Sequence, residues 1–433
     1  MTMKKIAVLF PGSGSQYVGM GKTLYEEYQI VKDTFTEADD ILEMSISRII
    51  LEGSTLKLNK VKNMLAAVYI VNVAYFRVFS QETGVVPQFM AGHSLGEYAA
   101  LACSGAISFA EGLKIVSHRS QIAEAVLNTN GGTMTILKKI DPVAVLNFCN
   151  TISTAESPVD IACYNSPNQV LISGCESAVK CVEKLIVESN NKAEVINLPA
   201  SPPYHSVLME SKIEDLKRGL QQLNWNEMNA SVISNFTALP YTSEKEIIDN
   251  LTLQICKPVQ WQKTIEYIIS EGVKLFIEVG PQNILKNLNF EIAPLMDTYS
   301  FDEKIERAKI IDITNIKTQE KELNNRTRSY RLKAISMCLT HAVSTKNYNE
   351  SGEYNENIIR LYEEIKELKN KLSSNNDEIT DHHLMQAFKM LKAFFNTKLI
   401  PVKEQEARIN DITNRTEVNF EKITATVELE GVL

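Results

Sequence analysis

The chain has 433 residues, of which 44% are hydrophobic and 23% charged, and its formal net charge is −8. This length permits two or more domains, and the composition is typical of a globular protein. The negative charge argues against nucleic acid as the main partner. We see no apolar stretch of membrane-spanning length, so we expect no association with a membrane.

The N-terminal segment and the cysteines bear on the compartment. The first apolar run, residues 6–10, ends at Pro11-Gly12, too early for a signal peptide, and we interpret it as a first buried strand. Seven cysteines lie along the chain without paired spacing: Cys103, Cys149, Cys163, Cys175, Cys181, Cys256 and Cys338. This pattern predicts reduced thiols in the cytoplasm. No spacing of a metal site or a nucleotide-binding loop is visible, so we expect no metal and no cofactor.

The N-terminal part alternates short apolar runs with helical patterns. Residues 6–10 predict a strand, residues 64–80 have the apolar spacing of a buried helix, and a second strand leads to Ser94. Strands that alternate with helices in this way are typical of an α/β domain with a parallel sheet.

The pattern changes at about residue 131. We predict strands at 133–138, 159–164, 169–173 and 193–198, and helices at 142–150 and 177–188. The order strand–helix–strand–strand–helix–strand predicts a ferredoxin-like small subdomain over residues 131–198. The main subdomain then resumes, so that it comprises residues 1–130 and 199–298 and is discontinuous in sequence.

Residues 299–433 form a charged tail that we expect to be mostly helical. Two apolar stripes predict a helical hairpin with its turn at 373–381, the second helix ending before Pro401; their residues are Ile358, Leu361, Ile365, Leu368 and Leu372, then Leu384, Phe388, Leu391 and Phe395. The tail is either an appendage packed on the rest of the chain or a docking element for a partner or a dimer. A basic cluster, Arg326, Arg328, Arg331 and Lys333, is either a surface for an acidic partner protein or a solvated face.

The most informative motif is Gly92-His93-Ser94-Leu95-Gly96, which follows an apolar segment and precedes an Ala/Leu helix pattern. A serine in this spacing is typical of a nucleophile on a sharp turn between a strand and a helix. The N-terminus of that helix offers free N–H groups to a developing oxyanion. The pentapeptide alone is short enough to occur by chance, so the interpretation depends on the rest of the chain.

Further segments raise the significance of this motif. In chain order they are Leu9-Phe10-Pro11-Gly12-Ser13-Gly14-Ser15-Gln16, Gly92–Glu97, Arg119, Tyr164-Asn165-Ser166-Pro167, Val170–Gly174, Tyr204–Met209, Ser234-Asn235, Gln254, Pro258-Val259-Gln260-Trp261 and Glu278-Val279-Gly280-Pro281. Together they resemble the malonyl-CoA:acyl-carrier-protein transacylase family over roughly residues 4–295. The resemblance implies a hydrolase-like large subdomain, an inserted small one, and an active site in the cleft between them.

The resemblance also assigns roles to the catalytic residues. Ser94 would be the nucleophile and His205, the histidine in the family's motif, its general base. We find no sequence pointer to a third, carboxylate member of a triad. The resemblance implies that the backbone carbonyl of Gln254 orients His205 instead, which would fix its tautomer. The backbone N–H groups of Ser13 and Leu95 would hold the oxyanion. The family usually has Gln where Ser13 stands.

Two residues bear on the choice of acyl group. The spacing of Arg119 after Ser94 matches that of the family's carboxylate-binding arginine. A guanidinium can bind a malonyl carboxylate through two parallel hydrogen bonds. The alternative is a surface arginine that pairs with Glu97 or Glu111. Tyr204 would narrow the space beside the α-carbon of the acyl group, which favours malonyl over methylmalonyl; the alternative is a simple packing role.

The resulting expectation is a free-standing enzyme that transfers malonyl from malonyl-CoA to the phosphopantetheine thiol of an acyl carrier protein. It would act in trans in polyketide or fatty-acid synthesis, as a monomer unless the tail forms a dimer. Two alternatives stay open. One is an acyl hydrolase that edits stalled chains, a class that generally lacks Arg119, and the other is a non-catalytic module that binds carrier proteins.

Overall fold

The computed structural model describes residues 5–198, 201–314, 316–349, 354–374, 379–420 and 423. The chain forms two compact units, unit 1 from Met1 to Ile316 and unit 2 from Lys317 to Leu433. The strands are β1 (Ile6–Phe10), β2 (Phe89–Gly92), β3 (Thr133–Lys138), β4 (Val159–Ser166), β5 (Gln169–Gly174), β6 (Glu194–Leu198), β7 (Ser231–Ile233), β8 (Leu275–Glu278) and β9 (Asp297–Ser300).

The helices of unit 1 surround these strands. They are α1 (Lys22–Glu27), α2 (Gln29–Leu42), α3 (Ile46–Glu52), α4 (Thr55–Leu58), α5 (Val61–Thr83), α6 (Gly96–Cys103), α7 (Phe109–Asn130), α8 (Pro142–Ile152), α9 (Glu176–Ser189), α10 (Ile213–Gln221), α11 (Glu244–Gln254), α12 (Trp261–Ser270), α13 (Ile284–Ile292) and α14 (Lys304–Thr314), with a 3₁₀ helix at Val207–Lys212.

A five-stranded sheet in the order β7-β2-β1-β8-β9 forms the centre of unit 1. All of its neighbouring strands pair in parallel, with Ala7 opposite Phe89 and Ile6 opposite Leu275. Every residue of β1, β2 and β8 is buried, as expected of parallel strands covered by helices on both faces. The predicted α/β class is confirmed, and the carboxyl ends of the strands meet at one edge, where ligands bind in such sheets.

Helix α5 corrects one expectation from the sequence. Its 23 residues are long and apolar enough to cross a membrane, although we expected no such stretch. Most of its residues, from Val61 to Thr83, are buried within unit 1, and 78% of its most apolar window is covered by protein. The apolar character of α5 therefore has a sufficient explanation in the packing of a central core helix.

The second sheet has the order β4-β5-β3-β6, with antiparallel neighbours throughout. Its strands and the helices α8 and α9 follow the predicted sequence of elements, with shifts of at most two residues at their ends. If the four strands are numbered by their order within the subdomain, the order is 2-3-1-4, which is that of a ferredoxin-like fold. The side chains of Val145, Ile161, Ile172 and Val182 meet in a separate core beneath this sheet.

The first compact unit extends beyond the boundary predicted at residue 298. Strand β9 adds an edge to the large sheet by parallel pairing with β8, from Leu275 opposite Asp297 to Glu278 opposite Ser300. Helix α14 then packs against β9 and α5 and buries Ile310 in the core of unit 1. The helical extension therefore begins after Ile316 and not at residue 299.

Unit 2 consists of helices around a core of its own. They are α15 (Ile316–Ser344), α16 (Tyr354–Ser374), α17 (Asp381–Thr397) and α18 (Val402–Thr416). Both predicted stripes lie in this core, with Leu361 and Ile365 from α16 beside Phe388 and Phe395 from α17. Residues 375–378 of the predicted turn lie outside the described residues. Our prediction lacked α15 and α18.

The described members of the basic cluster bond within unit 2. Arg328 donates to the backbone carbonyl of Leu372 at 2.7 Å, and Lys333 donates to that of Arg415 at 3.2 Å. Arg331 pairs with Asp381 at 2.6 Å and contacts the carbonyl of Ile379. The side chain of Arg326 lies outside the described residues. These three side chains therefore bond to other helices of unit 2, and Lys333 is exposed to solvent.

Candidate active site

Ser94 stands on the turn between β2 and α6, at the carboxyl edge of the large sheet. Its backbone is left-handed, with φ 52°, as the motif predicts for a sharp strand-to-helix turn. The two glycines of the motif permit close packing. A Cβ on Gly92 would lie 1.9 Å from the backbone carbon of Gly96, and one on Gly96 would lie 2.0 Å from the carbonyl oxygen of Phe10. Only glycine therefore fits at these two positions.

His205 lies against the hydroxyl of Ser94. Its Nε2 is 2.7 Å from Ser94 Oγ, and its Nδ1 is 2.6 Å from the backbone carbonyl oxygen of Gln254. Because a carbonyl accepts and cannot donate, Nδ1 must carry a proton, which leaves the unprotonated Nε2 free to accept from the serine. Among the described residues, the position next to Nδ1 belongs to this carbonyl and not to a carboxylate.

Burial and charge act on His205 in the same direction. The side chain is only 2% exposed. Burial, and secondly the positive charge of Arg119, lower the pKa of His205 to about 3. The imidazole is therefore neutral at physiological pH, which is the form that can accept a proton from Ser94.

Arg119, on α7, is buried with 1% exposure, so the alternative of a surface arginine is wrong. Its Nη2 lies 3.3 Å from Ser94 Oγ and 3.4 Å from Gln254 Oε1. The guanidinium carbon lies 4.2 Å from the ring centre of Tyr204, a cation–π contact. Tyr204 thus packs on the arginine, and the Nε of Arg119 has no hydrogen-bond partner among the described protein atoms. A buried cation beside a reactive hydroxyl suits an anionic substrate group.

The backbone N–H groups assigned to the oxyanion lie at the same edge. Leu95 precedes the first residue of α6, so its N–H is at the positive end of that helix. Ser13 follows Gly12, which packs so closely on the turn that a Cβ there would lie 2.4 Å from the carbonyl oxygen of His93. Within the described chain, neither the N–H of Ser13 nor that of Leu95 donates a hydrogen bond.

Sequence reasoning missed the role of Glu97 in this site. The residue lies in the first turn of α6 with 0% exposure. Its carboxylate accepts from Tyr241 Oη at 2.6 Å, from the backbone N–H of Asn235 at 3.0 Å and from Gln254 Nε2 at 2.8 Å. Burial raises the pKa of Glu97 to about 7, while these donors and the charge of Arg119 lower it. A charged residue within an Ala/Leu helix was the available signal, because a buried carboxylate requires partners.

Asn235 ties the nucleophile turn to β7. Its Oδ1 accepts from the backbone N–H of Ser94 at 2.7 Å, and its Nδ2 donates to the carbonyl of Gly92 at 2.6 Å. Asn165, the other asparagine in a matched segment, lies 2.8 Å from His93 Nε2 through its Oδ1. Both asparagines therefore bond to the chain around Ser94.

The other two histidines of unit 1 are engaged elsewhere. His93 points away from Ser94 toward Asn165, and its ring lies 5.4 Å from that of Trp261. His118 lies 3.9 Å from a carboxylate oxygen of Asp215. Among the described residues, no group of three or more His, Cys, Asp and Glu side chains could hold a metal ion.

A strained serine at the edge of a parallel sheet, bonded to a neutral histidine, defines an enzyme of the serine acyl-transfer class. The sequence signature described as "Acyl transferase domain" matches residues 8–343. The chain belongs to this family and, within it, to the malonyl CoA-acyl carrier protein transacylases.

Three similar proteins illustrate this membership. A malonyl CoA-acyl carrier protein transacylase of Bacillus subtilis is 30% identical over 404 residues, which cover 93% of this chain and 99% of the relative. The crystal structure of a malonyl-CoA:acyl carrier protein transacylase from Xanthomonas oryzae pv. oryzae has a TM-score of 0.69 at 29% identity, over 72% of this chain and 99% of that one. A malonyl-transacylase solved with its type II polyketide synthase acyl-carrier protein has a TM-score of 0.68 at 29% identity, over 72% and 99%.

The B. subtilis relative also bears on the extension. Its 404 aligned residues exceed the length of unit 1, which ends at Ile316, so the alignment continues into unit 2. The two solved structures are covered almost completely by 72% of this chain. The B. subtilis relative therefore aligns with most of this chain, including part of unit 2, whereas more than a quarter of this chain lies outside the match to these two structures.

Proposed function

We propose that this protein transfers a malonyl group from malonyl-CoA to the phosphopantetheine thiol of an acyl carrier protein. The observation that carries the proposal is Arg119, a buried cation whose Nη2 is 3.3 Å from Ser94 Oγ. An acyl group bound to Ser94 would place a terminal carboxylate within reach of this guanidinium. The names of the relatives and the carrier-protein complex of one solved neighbour support the same substrate pair.

The first half of the proposed reaction forms an acyl-serine. Ser94 Oγ attacks the thioester carbonyl of malonyl-CoA while His205 Nε2 accepts the hydroxyl proton. The oxyanion receives hydrogen bonds from the N–H groups of Ser13 and Leu95, and removal of one such donor typically costs about 3 kcal/mol in the barrier. The C–S bond then breaks, and His205 returns its proton to the sulfur of coenzyme A.

The second half repeats these steps with a different thiol. His205 accepts the proton of the phosphopantetheine thiol, whose sulfur attacks the malonyl ester on Ser94. The ester C–O bond breaks, and the proton passes from His205 to Ser94 Oγ. One thioester and one thiol are consumed, and one thiol and one thioester are formed, with the proton passing through His205 in each half. Because these steps balance with Ser94 and His205 alone, the proposal includes neither a metal nor a cofactor.

Compartment and assembly follow from the same proposal. We infer a cytoplasmic enzyme, because each of the seven cysteines is a free thiol, as expected in a reducing compartment. We also infer that it acts as a monomer on a separate carrier protein in fatty-acid or polyketide synthesis. Sedimentation at several protein concentrations tests the monomer, and a mass that doubles with concentration would contradict it.

Intact-protein mass spectrometry tests the proposed function. The protein would be incubated with malonyl-CoA, methylmalonyl-CoA or acetyl-CoA, and a phosphopantetheinylated carrier protein would be added afterwards. We expect a malonyl adduct that is absent in Ser94→Ala and that moves to the carrier. An adduct released as free acid without transfer would indicate the editing hydrolase. Absence of any adduct from all three donors would favour the carrier-binding module.

A further inference from the structure

The buried carboxylate of Glu97 has each of its oxygens occupied by donors. Oε1 accepts from Tyr241 Oη at 2.6 Å and from the backbone N–H of Asn235 at 3.0 Å. Oε2 accepts from Gln254 Nε2 at 2.8 Å. In its ionised form this carboxylate only accepts, and it then leaves the side-chain amide of Gln254 one favourable orientation.

The orientation of the Gln254 amide determines which of its atoms faces Arg119. With its Nε2 toward Glu97, Gln254 also donates to the backbone carbonyl of Ser94 at 2.8 Å, and its Oε1 faces Arg119 Nη2 at 3.4 Å. A reversed amide would place its oxygen against the acceptors on Glu97 and Ser94. It would also direct an N–H donor at the guanidinium, which has only donors. Glu97 therefore acts on Arg119 through Gln254.

We propose that Glu97 is a positioning residue for acyl-group selection, because it fixes the Gln254 amide so that Arg119 is held ready for a carboxylate. The inference rests on the proposed function, in which Arg119 binds the malonyl carboxylate. Glu97 itself does not contact the acyl group. Its effect should therefore be larger for malonyl than for an acyl group that has no carboxylate.

The test compares Glu97→Gln with Tyr241→Phe as a matched control. In Glu97→Gln, the donors Tyr241 and the N–H of Asn235 hold the oxygen of the new amide. The NH₂ of the new amide then faces the NH₂ of Gln254, and this repulsion favours a reversed Gln254 amide. Tyr241→Phe removes a hydrogen bond from the same carboxylate but leaves Gln254 its acceptor. Rates of Ser94 acylation would be measured with malonyl-CoA and acetyl-CoA, together with the melting temperature of each variant.

We expect Glu97→Gln to lower the malonyl-to-acetyl rate ratio about tenfold, which corresponds to about 1.4 kcal/mol. Tyr241→Phe should keep the malonyl-to-acetyl ratio of the unmodified protein, even if its melting temperature falls as far as that of Glu97→Gln. An unchanged ratio in Glu97→Gln, or an equal fall in both variants, would overturn the inference.

A second variant covers the case in which Glu97→Gln does not fold. Gln254→Leu removes the amide but keeps the backbone carbonyl that contacts His205, and it should lower the same ratio about tenfold. A ratio unchanged in Gln254→Leu would overturn the inference. If the unmodified protein takes up no malonyl, the proposed function fails as well. If it takes up malonyl and both Glu97→Gln and Gln254→Leu keep its selectivity, only this inference is contradicted.

Discussion

The two sides of the active site differ in how far the free protein satisfies its polar groups. Around the nucleophile, the backbone of Ser94, the ring nitrogens of His205 and the carboxylate of Glu97 all have partners. Around the acyl pocket, Arg119 Nε and the hydroxyl of Tyr204 have none among the described protein atoms. The reactive side chains are thus held in place before substrate binds, whereas the selecting groups, like the oxyanion N–H groups of Ser13 and Leu95, keep hydrogen-bonding capacity for a ligand.

Removal of the general base, whose ring nitrogens both have hydrogen-bond partners, should give the largest loss of malonyl transfer. We expect His205→Ala to slow malonyl transfer on the order of 10³-fold, since general-base catalysis typically contributes 10² to 10⁴. The measurement is the single-turnover rate of acylation. His118→Ala is the control, because His118 lies against Asp215 and not against Ser94. Equal rates in His205→Ala and the unmodified protein would remove His205 from the mechanism.

Arg119→Ala, in the acyl pocket, should give the next largest loss of malonyl loading. Loss of charge-assisted hydrogen bonds to the carboxylate predicts a fall of about 100-fold in malonyl loading, with acetyl loading unaffected or increased. Both rates follow from adduct formation by mass spectrometry. Arg218→Ala provides the control, because that side chain is 70% exposed and pairs with Asp215. A parallel fall for both acyl groups would mean that Arg119 serves the structure and not selection.

Substitution of Tyr204 tests the cation–π contact with Arg119, and we expect a smaller loss of malonyl loading. Tyr204→Leu removes the ring that lies 4.2 Å from the guanidinium carbon of Arg119, and we expect malonyl loading to fall about fivefold, in line with a cation–π contact of about 1 kcal/mol. Tyr204→Phe keeps the ring and should stay closer to the unmodified protein. If Phe is as harmful as Leu, the hydroxyl and not the ring is the contributing group.

The protonation of His205 gives a prediction that needs no substrate. Its pKa of about 3 means that the imidazole stays neutral as the pH falls from 8 to 4. Histidine NMR signals, assigned by their loss in His205→Ala, would report this directly. Because the unfolded chain binds this proton near pH 6.5 and the folded protein does not, the contribution of His205 to folding stability should fall as the pH drops from 6.5 toward 3. A signal that titrates near 6.5 would contradict the lowered pKa.

The sequence predicted the fold well where local patterns are strong. The strands at 6–10 and 133–138 were predicted to the residue, because short apolar runs bounded by turns mark them. Strand β9 was missed because Asp297–Ser300 is a short, polar edge strand, and its pairing with β8 is a tertiary contact. The helix α15 has almost no amphipathic pattern over 29 residues, so periodicity could not reveal it.

The site was only partly predictable for a related reason. Motifs carried Ser94, His205 and Arg119, and the structure brings these three side chains together. Glu97 belonged to a matched segment but was otherwise considered only as a surface partner for Arg119. Its role depends on Gln254 and Tyr241, which are more than 140 residues away in sequence. A network of this kind belongs to the packing of α6 against other elements, and no local spacing encodes it.

Both reactive residues occupy backbone conformations that most side chains avoid, with φ 52° at Ser94 and 62° at His205. Such a conformation costs a non-glycine residue roughly 1 kcal/mol. The surrounding hydrogen bonds hold both residues there, so part of the stability of the fold is committed to keeping them reactive. A glycine at position 94 would relieve this strain and end the chemistry. Selection for thermal stability alone would therefore move this protein away from catalysis.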